Sequence, residues 1–197
     1  MINMKFKNFY KFLTVLTLLI PFIMISFVSH ADTNERPEIG SGITYKIISA
    51  LDNNKVVTEH FELDENGYYK DPGDMRTVLW DNSPNTRGAG ESQKWRFDYY
   101  ANKQAYKLVL IYGVQSSMAW NPYSKSDNYR IETGNLDSND DRYYWILEDT
   151  GNGYYYIKNK GNSKYMDVQR ERTANGTPII VYDYNGDNNQ KFKLERQ

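Results

Sequence analysis

The chain has 197 residues, no cysteine, 24 Lys+Arg against 25 Asp+Glu and a formal net charge of −1. With no cationic surplus to neutralise phosphates, nucleic acid is not an expected partner, and anionic lipid is disfavoured on the same ground. Without cysteine there is neither a disulfide nor a thiolate zinc site, so stability must come from packing.

The chain opens with Lys5, Lys7 and Lys11, an apolar run from Phe12 to Val28, and the small-x-small sequence Ser29-His30-Ala31. This pattern predicts a secretory signal peptide over residues 1–31. A membrane anchor is the alternative, since about 17 apolar residues can just span a bilayer. Pro21 inside the run and the site at Ala31 favour cleavage, which leaves no expected membrane span and a secreted, extracellular product. Subtracting the three lysines leaves 21 Lys+Arg against 25 Asp+Glu, about −4. Export without cysteine fits a Gram-positive bacterial source. Residues 32–41, polar with Pro37 and Gly40, read as a flexible leader before a domain over 42–197.

From there on no amphipathic helical pattern exceeds two turns, and short β-rich runs alternate with turn chemistry. The runs are Ile43–Ser49, Lys55–Thr58, Thr77–Trp80, Lys94–Tyr99, Ala105–Tyr112, Tyr129–Glu132, Tyr143–Leu147, Tyr154–Lys158, Tyr165–Val168, Pro178–Tyr182 and Lys191–Leu194. Asn53-Asn54, Gly161-Asn162, Asn175-Gly176 and Asn185-Gly186-Asp187 are among the turns between them. Eleven to twelve strands and no helix make the chain all-β, a sandwich or a closed barrel. Most of the 18 tyrosines are accounted for by β-propensity.

An internal repeat decides between those forms. Tyr45-Lys46-Ile47, Tyr106-Lys107-Leu108 and Tyr155-Tyr156-Ile157 open three units, and Trp95, Trp145 and Phe192 close them at intervals of roughly 50 residues. The units cover about 42–99, 100–149 and 150–197. Three units of four strands predict a pseudo-threefold barrel with a hairpin cap, the closing aromatics meeting in its centre. Trp95, Trp145 and Phe192 are therefore expected in the core, where each large side chain contributes roughly 1.5–3 kcal/mol.

The endings Gln93-Lys94-Trp95 and Asn189-Gln190-Lys191-Phe192, with the degraded Tyr143-Tyr144-Trp145, resemble the ricin-type β-trefoil lectin family. The resemblance spans about Ile43 to Gln197, and is strongest in the third repeat and weakest in the second. The small trefoil haemagglutinin components of clostridial toxin complexes look similar. The resemblance implies a β-trefoil and one competent sugar site in the third repeat. There Asp167 matches the aspartate that accepts sugar hydroxyls, Tyr182 the aromatic platform and Asn189 the residue bonding a ring hydroxyl. Gln190 matches the residue tying the site to the backbone, with Asn185 and Gly186 as the pocket wall. Ile180 stands where the family often has Gln.

Physical chemistry supports that set without the family name. A carboxylate takes two hydroxyl donors in charge-assisted bonds, a flat ring covers the C–H face of a pyranose, and an amide both donates and accepts. The competing reading pairs Asp167 with Asn189 or Gln190 in a purely structural network. In the first repeat Trp80 and Gln93 make a possible second site, with Ser92 in place of the Asn and Val57 expected where the aspartate belongs. In the second, Ala119 replaces the aspartate, Ile131 falls near the platform position, and Arg142 and Tyr143 replace Asn-Gln, so that site is expected to be dead. Trp120 is expected in the core, and Asn121-Pro122-Tyr123 beside it is a candidate partner loop.

No catalytic constellation is visible. His60 is the only histidine after the leading segment and reads as a surface residue, and no nucleophile–base pair has local support. Asp137-x-Asn139-x-Asp141 mimics a calcium loop, but Arg142 holds the glycine position and Glu148 falls in a strand. No enzyme activity, metal or cofactor is expected. The partners expected are glycans, galactose-type if the family's commonest preference holds, and companion toxin or adhesion subunits. The alternative is a protein-interaction trefoil with decayed sugar sites, acting as a toxin subunit or adaptor.

Overall fold

The computed structural model describes residues 39–60, 76–83, 92–112, 115–123, 130–134 and 138–197. The expected signal peptide, most of the leader and Asp137 lie outside the described residues. The twelve strands described are β1 Ile43–Ser49, β2 Lys55–His60, β3 Arg76–Asp81, β4 Trp95–Tyr100, β5 Ala105–Leu110 and β6 Ser116–Trp120, then β7 Ile131–Gly134, β8 Trp145–Asp149, β9 Tyr155–Asn159, β10 Tyr165–Val168, β11 Thr177–Tyr182 and β12 Phe192–Arg196. Helical structure among these residues is limited to single 3-10 turns at Asp141–Tyr143, Gln169–Glu171 and Asn188–Gln190.

Strand pairing closes a barrel. β1 pairs with β4, β4 with β5, β5 with β8, β8 with β9, β9 with β12, and β12 returns to β1. The remaining strands form three hairpins, β2–β3, β6–β7 and β10–β11. These meet one another through β3–β11, β3–β7 and an Arg130–Ile180 bridge, which caps one end of the barrel. The result is a β-trefoil of three four-stranded repeats. Among the described residues, ring closure leaves no free barrel edge.

The repeat seen in the sequence becomes a register. Tyr45 pairs with Trp95, Tyr106 with Trp145 and Tyr155 with Phe192, one cross-strand pair per repeat. Trp95, Trp145 and Phe192 are fully buried, as are Ile47, Leu108 and Ile157 beside them. Each tryptophan also ties the barrel to its cap. The Trp95 indole N–H donates to the Val57 carbonyl, and that of Trp145 donates to the Met118 carbonyl, both at 3.0 Å. A buried indole needs such a partner.

Two features differ from expectation. β6 was not anticipated, and Trp120 at its end is half-buried against the core. The end of the expected leader is fastened rather than loose. Ile39 is buried and its carbonyl accepts from the Tyr106 hydroxyl at 2.7 Å, while Ser41 Oγ accepts from the Tyr99 amide at 2.9 Å. The folded region therefore begins before residue 42.

Candidate functional site

The third repeat assembles its polar residues between the β10–β11 hairpin and the 3-10 turn Asn188–Gln190. On β10, Met166 and Val168 point into the core, and Asp167 between them faces the other way. Asp167 is nonetheless only 2% exposed. Its Oδ2 accepts from Asn189 Nδ2 and from Gln190 Nε2, each at 2.9 Å. Gln190 Nε2 also donates to the Asp183 carbonyl at 2.9 Å, and its Oε1 accepts from the Asn185 amide at 3.0 Å. Asn185 Nδ2 donates to Asn189 Oδ1 at 3.2 Å and completes the network.

Asp167 has no hydrogen bond to Oδ1 among the described residues, so one carboxylate oxygen is held and the other is available. Burial pushes its pKa up to about 6, against the two amide donors, which pull it down; the negative charge of Glu171 adds to the rise. The carboxyl group borders a cavity of about 320 Å³ lined by Asp167, Gln169, Arg170, Glu171, Ile180, Tyr182, Asn185 and Asn189. Tyr182, 51% exposed, presents its ring on this cavity. The structural network expected as the competing reading is thus present, and it holds the carboxylate at the edge of an open pocket.

Gly186 is not in the wall. It takes a positive φ of 78° in the adjoining turn, where its carbonyl accepts from the Tyr156 hydroxyl at 3.4 Å. The sequence reading missed Gln169, Arg170 and Glu171, which form the opposite rim. Arg170 and Glu171 have φ of 56° and 55°, left-handed conformations that non-glycine residues adopt at some cost. Only the polar run QRER directly after a strand hinted at them.

The same register locates the other repeats' counterparts. In the third repeat Tyr165 pairs with Tyr182 and Asp167 with Ile180. In the first, Val56 pairs with Trp80 and Thr58 with Val78. Thr58, not Val57, therefore occupies the aspartate position; Val57 is core. Thr58 Oγ1 is turned onto the Val56 carbonyl at 3.2 Å. Gln93 repeats the bonds of Gln190, donating to the Asp81 carbonyl at 2.8 Å and accepting from the Ser83 amide at 3.0 Å. Trp80 lies parallel to His60, rings 5.2 Å apart and 15° from coplanar, so His60 is a stacking partner rather than a free surface residue.

In the second repeat Ser117 pairs with Gly134 and Ala119 with Glu132. Gly134, not Ile131, holds the platform position, and Ile131 is fully buried. The space above Gly134 is filled by Tyr143, which replaces the repeat's glutamine. A Cβ at residue 134 would stand 2.7 Å from the Tyr143 hydroxyl. Gly134→Ala is expected to cost about 1–3 kcal/mol, and most of that should return in the Gly134→Ala, Tyr143→Ser double variant when both are unfolded in urea. Of the calcium-like residues, Asp141 accepts from Lys103, and the neighbouring Asp140 caps the turn by accepting from the Arg142 amide.

A family model described as ricin-type beta-trefoil lectin domain-like matches residues 91–182 and 144–197, over half the chain. The chain belongs to this ricin-type trefoil family. It is 27% identical over 117 residues to the main hemagglutinin component type C of Clostridium botulinum C phage, which covers 58% of this chain. The chain spans only 38% of that relative's length. Among solved structures, that of a mosquitocidal holotoxin superposes with a TM-score of 0.68 and 26% identity, over 81% of this chain and 18% of that one. The Macrolepiota procera ricin B-like lectin in complex with lactose shares the fold, with a TM-score of 0.59 and 20% identity over 81% of this chain and 99% of that one. These likenesses place the chain among the lectin-like trefoil domains of that family.

Proposed function

We propose that the chain is an exported lectin whose working sugar site is the third-repeat pocket. The observation that carries this reading is a carboxylate with one oxygen fixed by two amides and the other unused, beside an exposed tyrosine ring on a cavity of about 320 Å³. Two vicinal sugar hydroxyls suit the carboxylate, the C–H face of a pyranose suits the Tyr182 ring, and Asn189 offers an amide beside both. Ile180 in the floor replaces one polar contact with an apolar one. Galactose-type sugars are the expected ligands, following the family's commonest preference.

A single open site gives weak binding, roughly −4 to −5 kcal/mol, or millimolar to sub-millimolar dissociation constants. Useful adhesion then requires several copies or clustered glycans. This fits a cell-binding component of a toxin or adhesion complex, the setting suggested by the hemagglutinin and holotoxin relatives. Export rests on the signal-like sequence of residues 1–31.

Titration with galactose and lactose tests the proposal. Tyr182→Ala is expected to weaken binding about tenfold with little change in stability, because the ring is half exposed. Equal affinity of the variant would remove Tyr182 from the site. The second reading, a protein-interaction trefoil, is favoured by the losses at Thr58 and Gly134; retained partner capture with no glycan signal from the intact chain would support it.

A further inference from the structure

Asp167 carries a buried charge that, among the described residues, no cation neutralises. It is 2% exposed, yet it lines the third-repeat cavity. Its Oδ2 takes two neutral amides, those of Asn189 and Gln190, and its Oδ1 takes no donor. A buried carboxylate is ordinarily paired with a cation as well as hydrogen-bonded. Here the one charge that acts on Asp167 is that of Glu171, and it is negative.

The cavity itself has the same imbalance. Its charged lining residues are Asp167, Glu171 and Arg170. Glu171 and Arg170 are both exposed, each held on the rim by a left-handed backbone. Along the chain, Lys164 and Arg170 are the cations nearest to Asp167, and neither acts on it. Lys164 donates instead to Asp183 at 2.6 Å. A neutral hydroxyl in the cavity would satisfy the free carboxylate oxygen and leave the charge uncompensated. An ammonium group would do both. The half-exposed ring of Tyr182 on the same cavity is a further surface that attracts a cation. The cavity, about 320 Å³, is at the small end for a ligand pocket and suits a single sugar ring.

We infer, resting on the third-repeat pocket as the sugar site, that its preferred ligand is a hexosamine whose amino group is free. The ammonium donates to Asp167 Oδ1, with Glu171 on the rim as a second counter-charge, and the ring lies against Tyr182. N-acetylation removes the charge and adds bulk, so it should weaken binding. The substrate class is thereby narrowed from neutral galactosides to glycans whose amino sugars have lost their acetyl groups.

Amide chemical-shift titrations of the whole chain at pH 7 with D-galactosamine, D-galactose and N-acetyl-D-galactosamine test this, since the three differ only at C2. At that pH the Asp167 carboxyl group and the sugar amine are both mainly ionised. All three sugars are expected to shift the amides of Asn185 and Asn189. Galactosamine should bind about tenfold more tightly than the other two, because a charge-assisted hydrogen bond is about twice as strong as a neutral one. Glu171→Gln should lower the galactosamine-to-galactose affinity ratio about threefold. Equal affinities, or tighter binding of the acetylated sugar, would overturn the amino-sugar assignment and leave a pocket for neutral sugars. Full galactosamine affinity in Asp167→Asn would place the ammonium elsewhere, and equal binding of Nα-acetyl-lysine amide would assign the pocket to protein amines; either result overturns it. If none of the three sugars shifts the pocket amides, the third-repeat reading falls as well.

Discussion

Asp167→Asn is expected to abolish sugar binding and, at the same time, to raise the stability of the fold at neutral pH. The folded-state pKa of about 6 lies above the ordinary 3.8. Between those values the folded protein keeps a proton that the unfolded chain has released, so stability falls as pH rises through that window. By pH 7 the ionised carboxylate costs the folded state roughly 3 kcal/mol. Asparagine still offers one oxygen to Asn189 and Gln190 and carries no charge to desolvate. Urea unfolding should therefore show Asp167→Asn more stable by about 2–3 kcal/mol at pH 7 and nearly equal at pH 4. A variant less stable at pH 7 would mean that the two amide bonds to the carboxylate outweigh its burial. A functional group retained at a cost to stability is the pattern expected of a binding site.

Trp145→Ala is expected to have the largest effect on folding. The side chain is fully buried, closes the second repeat and donates its indole N–H to the Met118 carbonyl. Truncation leaves a cavity and an unpaired carbonyl, and the combined loss should be about 3–5 kcal/mol. Against a typical total of about 5–15 kcal/mol, that is enough to leave the domain marginal. Equilibrium unfolding in urea at pH 7 checks this, with Trp145→Phe expected to recover the larger part. A loss under about 1.5 kcal/mol would show that the closing aromatics do not form one shared centre.

The repeat, the closing aromatics and the third-repeat residues were legible because each is a side-chain identity at a fixed spacing. Asp167 contacts Asn189 and Gln190 in the fold, the pairing that the competing structural reading anticipated. Single-residue register was not legible. Val57 and Thr58 are equally plausible at an aspartate position until the pairing of Thr58 with Val78 is seen, since one step along a strand reverses the face. The platform position in the second repeat depended on the length of a hairpin, and Gly134 could be found only through its pairing with Ser117. β6, with the sequence SSMAW, lacks a β-branched residue and a clear alternation; pairing with β5 and β7 makes it a strand. The rim at Arg170 and Glu171 depends on positive φ in residues whose identity does not announce it.

The carboxyl-carbon resonance of Asp167, titrated with and without saturating lactose, tests the central claim most directly. Free, it should titrate near 6. With sugar hydroxyls donating to the ionised form, the midpoint should fall by about one unit, with sugar affinity dropping correspondingly from pH 7 to pH 5. A midpoint unmoved by bound lactose would show that the sugar does not touch this carboxylate, and the third-repeat site would have to be abandoned.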